Sequence, residues 1–184
     1  MWREWRHRRA LRARAQSYVR AIVAEPDEAH VRWLAEQGTA GDIDHARWEL
    51  RYARRALALL VAARDALDDR TASAVAHALS LALADDPAVA PGKVRVAERQ
   101  LNDRLRAYGE ALRNRDGAGS GWHLGRTLLA FAGRRDAVPP AEVQYAAELL
   151  ATYVVEANQA LRERFGTASL PEDVAPSAVR GTAL

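Results

Sequence analysis

The chain has 184 residues, 49% hydrophobic and 28% charged, which is one globular domain able to bury roughly 70% of its unfolded surface without disulfides or metal. It has no cysteine, which excludes a disulfide framework, thiolate chemistry and every Cys-based zinc site, and it suits a reducing, cytoplasmic setting. The net charge of +3 is uneven: residues 1–20 hold seven arginines and one acid (+6), and the rest holds 20 bases against 23 acids (−3).

The longest apolar run, Ala56 to Ala63, is far short of the ~20 residues that a membrane-spanning helix needs. The Arg-rich start resembles the first part of an export signal. Its apolar follow-on, Ala21 to Ala24, is too short for one, and Arg8-Arg9 followed by Ala-Leu-Arg argues against twin-arginine export. An organellar transit peptide is the alternative, because the first 24 residues contain a single acid.

Helical spacing dominates, and no segment keeps the period-two alternation of a strand. The first predicted helix covers residues 3–24, with Trp5, Leu11, Ala15, Tyr18 and Ile22 on one face and Val19 beside them. Glu25-Pro26-Asp27 ends it. A short helix follows at 27–37, bearing Val31, Leu34 and Trp33 and stopping before Gly38.

The third helix, 42–67, starts at the natural cap Asp42 and has two apolar stripes. One reads Ile43, Ala46, Leu50, Ala53, Leu57, Leu60, Leu67; the other reads Trp48, Tyr52, Ala56, Leu59, Ala63. Two apolar sides predict a central helix packed by several neighbours, whose third face carries Arg47, Arg51, Arg54 and Asp65. Asp68-Asp69 suits a helix start, so a fourth helix is predicted at 70–84, with Ala72, Val75, Leu79 and Leu83 inward. A loop leads to a fifth helix at 92–114, where Val94, Ala97, Leu101, Leu105, Tyr108 and Leu112 keep register. Residues 116–121, Asp-Gly-Ala-Gly-Ser-Gly, read as a flexible connector. A sixth helix is predicted at 121–132. A seventh at 140–165 has Pro140 near its start, a stripe of Val143, Ala147, Leu150, Val154, Ala157 and Leu161, and Gly166 beyond its end.

The expected fold is therefore an all-α antiparallel bundle of five to seven helices. Its parts are a basic N-terminal helix or arm (1–24), the bundle (25–166) and an extended tail (167–184). Leu50, Leu57, Leu60, Leu101, Leu105, Leu150 and Val154 are the expected core.

Chemical motifs are sparse. Asp42, His45 and Glu49 share a helix face, but a bundle dimetal site needs a second such motif, and none is present; Asp42 reads as a cap and His45–Glu49 as a local pair. His30, His77 and His123 are scattered over three predicted helices. Gly117, Gly119 and Gly121 follow no strand, so they do not read as a phosphate loop. Glu148, Thr152, Glu156 and Gln159 form a line beside the last stripe and read as a solvated face, with Asn158 next to it as a polar contact. No catalytic residue, metal ligand or cofactor is assigned. Trp48 and Trp122 are expected in the core, whereas Trp2 and Trp5 sit among arginines, a pairing that favours interfaces.

The reading these features carry is a non-enzymatic helical interaction or scaffolding module. Its partner-binding residues are Trp2, Arg3, Trp5, Arg6, Arg8, Arg9, Arg12 and Arg14. The partner is an acidic protein surface, nucleic acid or an anionic membrane face, met through residues 1–20; a homo-oligomer is a further expectation. The alternatives are a nucleic-acid-binding or regulatory protein and an enzyme whose bundle-core site, metal-dependent or not, is dispersed in the sequence.

Overall fold

The protein is described by a computed structural model covering residues 2–66, 68–114, 116–134 and 137–166, without the side chains of Trp2 and Arg3. The tail expected at 167–184, and Leu67 of the third helix's stripe, lie outside the described residues. Among the described residues there are seven helices and no strand: α1 (Trp2–Ile22), α2 (Glu28–Gln37), α3 (Ile43–Asp65), α4 (Asp69–Ala84), α5 (Val94–Arg113), α6 (Gly119–Phe131) and α7 (Pro140–Phe165). None of them is long and apolar enough to cross a membrane.

Short aspartate caps set three of the starts. Asp27 accepts from the backbone N–H of Ala29, Asp42 from that of His45 and Asp68 from that of Thr71, at 2.7, 2.9 and 2.7 Å. Each satisfies a donor that the first helical turn leaves without an intrahelical partner.

α3 is the centre, packed against all six other helices. Its small residues Ala53, Ala56, Ala58 and Ala62 are wholly buried and let neighbours come close, while Leu50 and Leu57 fill the gaps between them. Tyr18 of α1 donates to the Ala58 carbonyl, Glu25 pairs with Arg51, and Glu28 pairs with Arg47, so the chain from α1 into α2 runs antiparallel to α3. α7 runs parallel to α3: Arg54 reaches Glu156 and lies over Tyr153, and Arg162 is near enough to Asp65 to help hold that carboxyl ionised. Trp33 of α2 stacks on Tyr145 of α7 with centroids 4.4 Å apart.

Several sequence expectations are corrected here. On the third face of α3, Arg47, Arg51 and Arg54 are half-buried and take their acids from the α1–α2 link and from α7. Ile43, placed in a stripe, is 40% exposed. Leu60, Leu105 and Val154 are only partly buried, as are Trp48 and Trp122. Glu148, Thr152, Glu156 and Gln159 are exposed as the line of them suggests, and Glu156 also pairs with Arg54 of α3.

The glycine-rich segment is also not a plain connector. Gly119 opens α6 with φ +80°, and α6 then crosses α7 closely. A methyl group at Gly125 would run into the Val143 carbonyl and stand 3.0 Å from the Ala147 nitrogen, and one at Gly121 would touch the Ala147 side chain. Glycine is used where two helices need to approach, which a reading based on chain flexibility overlooks.

Two outcomes follow from this packing. Leu57 is wholly buried, so Leu57→Ala should lower the free energy of unfolding by about 2–5 kcal/mol in a urea titration, through lost transfer energy and a residual cavity. Burial also raises the pKa values of Tyr18 and Tyr108 well above the usual phenol value, and pushes Tyr153 up to about 12 against the opposing charge of Arg54. A phenol whose folded pKa exceeds its unfolded value of 10.0 lends stability that is full below that value and is lost as pH rises through the folded one. Unfolding midpoints should thus hold steady up to the unfolded phenol value and fall steeply above it, with the phenolate absorbance of these three rings appearing together with unfolding.

Candidate functional site

Two regions gather polar groups. The first is the exposed half of α1. Its second half is fixed in the core by Ala15, Tyr18, Val19 and Ile22, with Tyr18 edge-on to Phe165 and Arg164 donating to the Ser17 carbonyl. Extending the antiparallel register, α3 ends at Asp65 about level with the third turn of α1. The preceding residues, 4–10, are all exposed.

Of the sequence-predicted partner residues, Trp5, Arg6, Arg8, Arg9, Arg12 and Arg14 are thus on exposed helix, and Trp2 and Arg3 have no described side chains. Trp5 is 54% exposed rather than on the buried face, and the Arg9 guanidinium sits 5.4 Å from its ring centroid. Arg14 and His7 also border a hollow with Leu11, Asp68, Arg70, Thr71 and Phe165, so α4 brings a further base, Arg70, to the same end of the bundle. That contribution was not legible in the sequence, because residues 7–14 and 68–71 meet only through the α1–α4 packing.

The second region is a cleft of about 440 Å³ between the first half of α3, the 85–93 loop and α5. At its floor lies Glu49, only 2% exposed. Arg104 of α5 grips it through two hydrogen bonds, Nε to Oε2 at 3.0 Å and Nη2 to Oε1 at 2.5 Å. The same guanidinium lies over Phe131 at 4.2 Å and Tyr52 at 5.2 Å from the ring centroids. Planar stacking on the faces and bidentate bonding at the edge are what arginine, and not lysine, can combine.

The loop wall is anchored from below by Arg55, 4% exposed, whose Nη2 donates to Asp86. Burial alone would raise the Asp86 pKa, but the hydrogen bonds from Arg55 and from the Ala88 N–H outweigh it and hold the carboxyl below its usual range. Tyr52 donates to Gln100 across the cleft at 2.9 Å, and burial raises its pKa against the nearby Arg104 charge. Trp48 packs on Tyr52 with centroids 5.3 Å apart and is backed by Arg51.

The Asp42–His45–Glu49 set separates into these roles. Asp42 caps α3 and Glu49 is taken up by Arg104, with His45 Nε2 3.4 Å from Glu49 Oε1. Among the described residues, no group of three or more His, Cys, Asp or Glu is arranged to hold a metal ion. His123 bonds Asp116 at 2.6 Å, which lowers the Asp116 pKa and ties down the approach to α6, and His30 lies edge-on to Tyr145.

Sequence reasoning missed Arg104, Gln100 and Lys93 as cleft residues. A signal for Arg104 existed: it falls between Leu101 and Tyr108 at helical spacing, on the inner face of α5, where a charge needs a partner. Comparison of the chain with protein-family models, curated proteins and solved structures gives no match.

The buried pair makes a prediction about stability. Glu49→Ala strands Arg104 in an apolar setting and should cost about 3–5 kcal/mol, whereas Glu49→Leu combined with Arg104→Met should recover much of that loss. Chemical denaturation of the three proteins would show it, and a double variant less stable than Glu49→Ala would mean that the pair itself is a net source of stability.

Proposed function

We propose that this chain is a non-enzymatic helical interaction module that engages an acidic partner through the arginine-rich first half of α1. The observation that carries this reading is the contrast within one helix. Ala15, Tyr18, Val19 and Ile22 are built into the core, and residues 4–10, with Arg12 and Arg14, stay exposed and cationic. A helix held at one end presents its other end already ordered, so a partner loses little conformational entropy in binding it. Trp5 adds flat apolar area, of the kind that anchors interfaces, beside the Arg9 guanidinium.

Among acidic partners, the distribution of charge favours nucleic acid. Arg6, Arg8, Arg9, Arg12 and Arg14 point to several sides of the helix, and residues 4–10 offer no apolar seam beyond Trp5. A membrane rewards a continuous apolar face and a protein interface an apolar centre, whereas phosphates on both walls of a groove reward charge all round.

Removal of residues 1–10 leaves the buried half of α1 in place. The truncated protein should keep its far-ultraviolet circular dichroism and lose binding to duplex DNA, which in the full chain weakens steeply as salt rises. Poly-glutamate and anionic vesicles serve as the competing probes. If the full chain binds none of the three at low salt, or if the truncated protein binds as the parent does, the reading fails; preference for poly-glutamate or vesicles would redirect it to the other acidic partners.

A further inference from the structure

We propose that the cleft between α3, the 85–93 loop and α5 binds a small organic anion with a flat apolar body, of the aromatic carboxylate class. This site is independent of the basic arm, and its walls, floor and charge each bear on the ligand.

The volume of about 440 Å³ falls in the range of small-molecule sites. One wall is aromatic, formed by Trp48 and Tyr52 in contact, and it is stiffened from outside by Arg51 over Trp48. The other wall is aliphatic, formed by Val89, Val96 and Ala97. Val96 is 39% exposed, an apolar side chain held open to water on the face of the cleft. A slot between an aromatic plane and branched aliphatic side chains suits a planar ring.

The polar groups set the sign of the ligand's charge. Among the described residues Glu49 is the only acid lining the cleft, and both its oxygens already accept from Arg104, so the floor is neutral as a pair. The charge left over is Lys93, exposed at the lip. It is the one lysine among 27 basic residues, and its long stem lets the ammonium swing over a bound carboxylate. α5 begins at the same lip with neither a side-chain cap nor an acid in its first turn, so its positive end adds to the field of Lys93. A cation would meet Lys93 at the entrance and find the Glu49 carboxylate already matched. An anion meets an ammonium that no acid among the described residues pairs with.

The test uses the full-length protein and three probes of one shape: 1-naphthoate, neutral 1-naphthamide and cationic 1-naphthylmethylamine. Binding is followed through the indole N–H resonance of Trp48, assigned by its loss in Trp48→Phe. Naphthoate should shift that resonance and bind roughly tenfold or more tightly than the amide, the effect of one charge-assisted contact. Lys93→Gln, a change on the exposed lip that does not touch the core, should erase the preference for naphthoate and leave the amide affinity as it was. The proposal is overturned if the Trp48 resonance stays still with all three probes, if the amine binds as tightly as naphthoate, or if Lys93→Gln retains the preference.

Discussion

Along its middle, α3 shows water almost nothing. Leu50, Ala53, Ala56, Leu57, Ala58, Val61 and Ala62 are buried, and so are Glu49, Tyr52 and Arg55, which complete the circumference. A helix enclosed on every side cannot be served by one partner, and here all six other helices pack against it. The bundle is therefore arranged as a wrap around a central rod. The short α2, the close α6–α7 crossing and the α1 docking on α4 and α7 are the means by which that wrap is closed.

Enclosure has a consequence for charge. Glu49 and Arg55 sit at positions where the helix is covered, and a buried charge without a partner costs several kcal/mol, so each draws an opposite charge from a segment distant in sequence. Arg104 comes from α5 and Asp86 from the 85–93 loop. These two pairs fix the register of α5 and of that loop against α3, and the space left between them is the cleft. The pocket is thus a by-product of how the charges inside the wrap are matched, and the Trp48–Tyr52 wall is where the wrap stops short of closing. Tyr108, deep in the same neighbourhood, has a buried hydroxyl with no hydrogen-bond partner among the described residues, a desolvation cost that the packing of its ring has to offset.

α1 joins two regimes in one helix. Its second half answers to apolar packing, with Tyr18 and Ile22 buried and Tyr18 bonded to α3. Its first half extends past the end of α3, where residues 4–10 are exposed, and arginine is tolerated because the side chains reach water. The rigidity of one half is what gives the exposed half a defined direction.

Local physics made much of this legible from the residues alone. Helix starts at Asp27, Asp42 and Asp68, and the span of α7 from Pro140 to Phe165, follow from caps, prolines and glycines acting within a single turn. The stripes of α3, α5 and α7 fixed which residues would be buried in most positions, because burial of one face is a property of a single helix. What the tertiary structure alone decided is everything that depends on a second segment. The sequence places Arg47, Arg51 and Arg54 on one face of α3, but only the packing brings Glu28, Glu25 and Glu156 to them from elsewhere in the chain. Gly121 reads as slack, and Gly125 carries no signal at all, until α7 lies across them. Glu49 and Arg104 stand 55 residues apart, and no spacing rule reaches that far; only the packing of α5 on α3 brings a carboxylate and a guanidinium into one buried place.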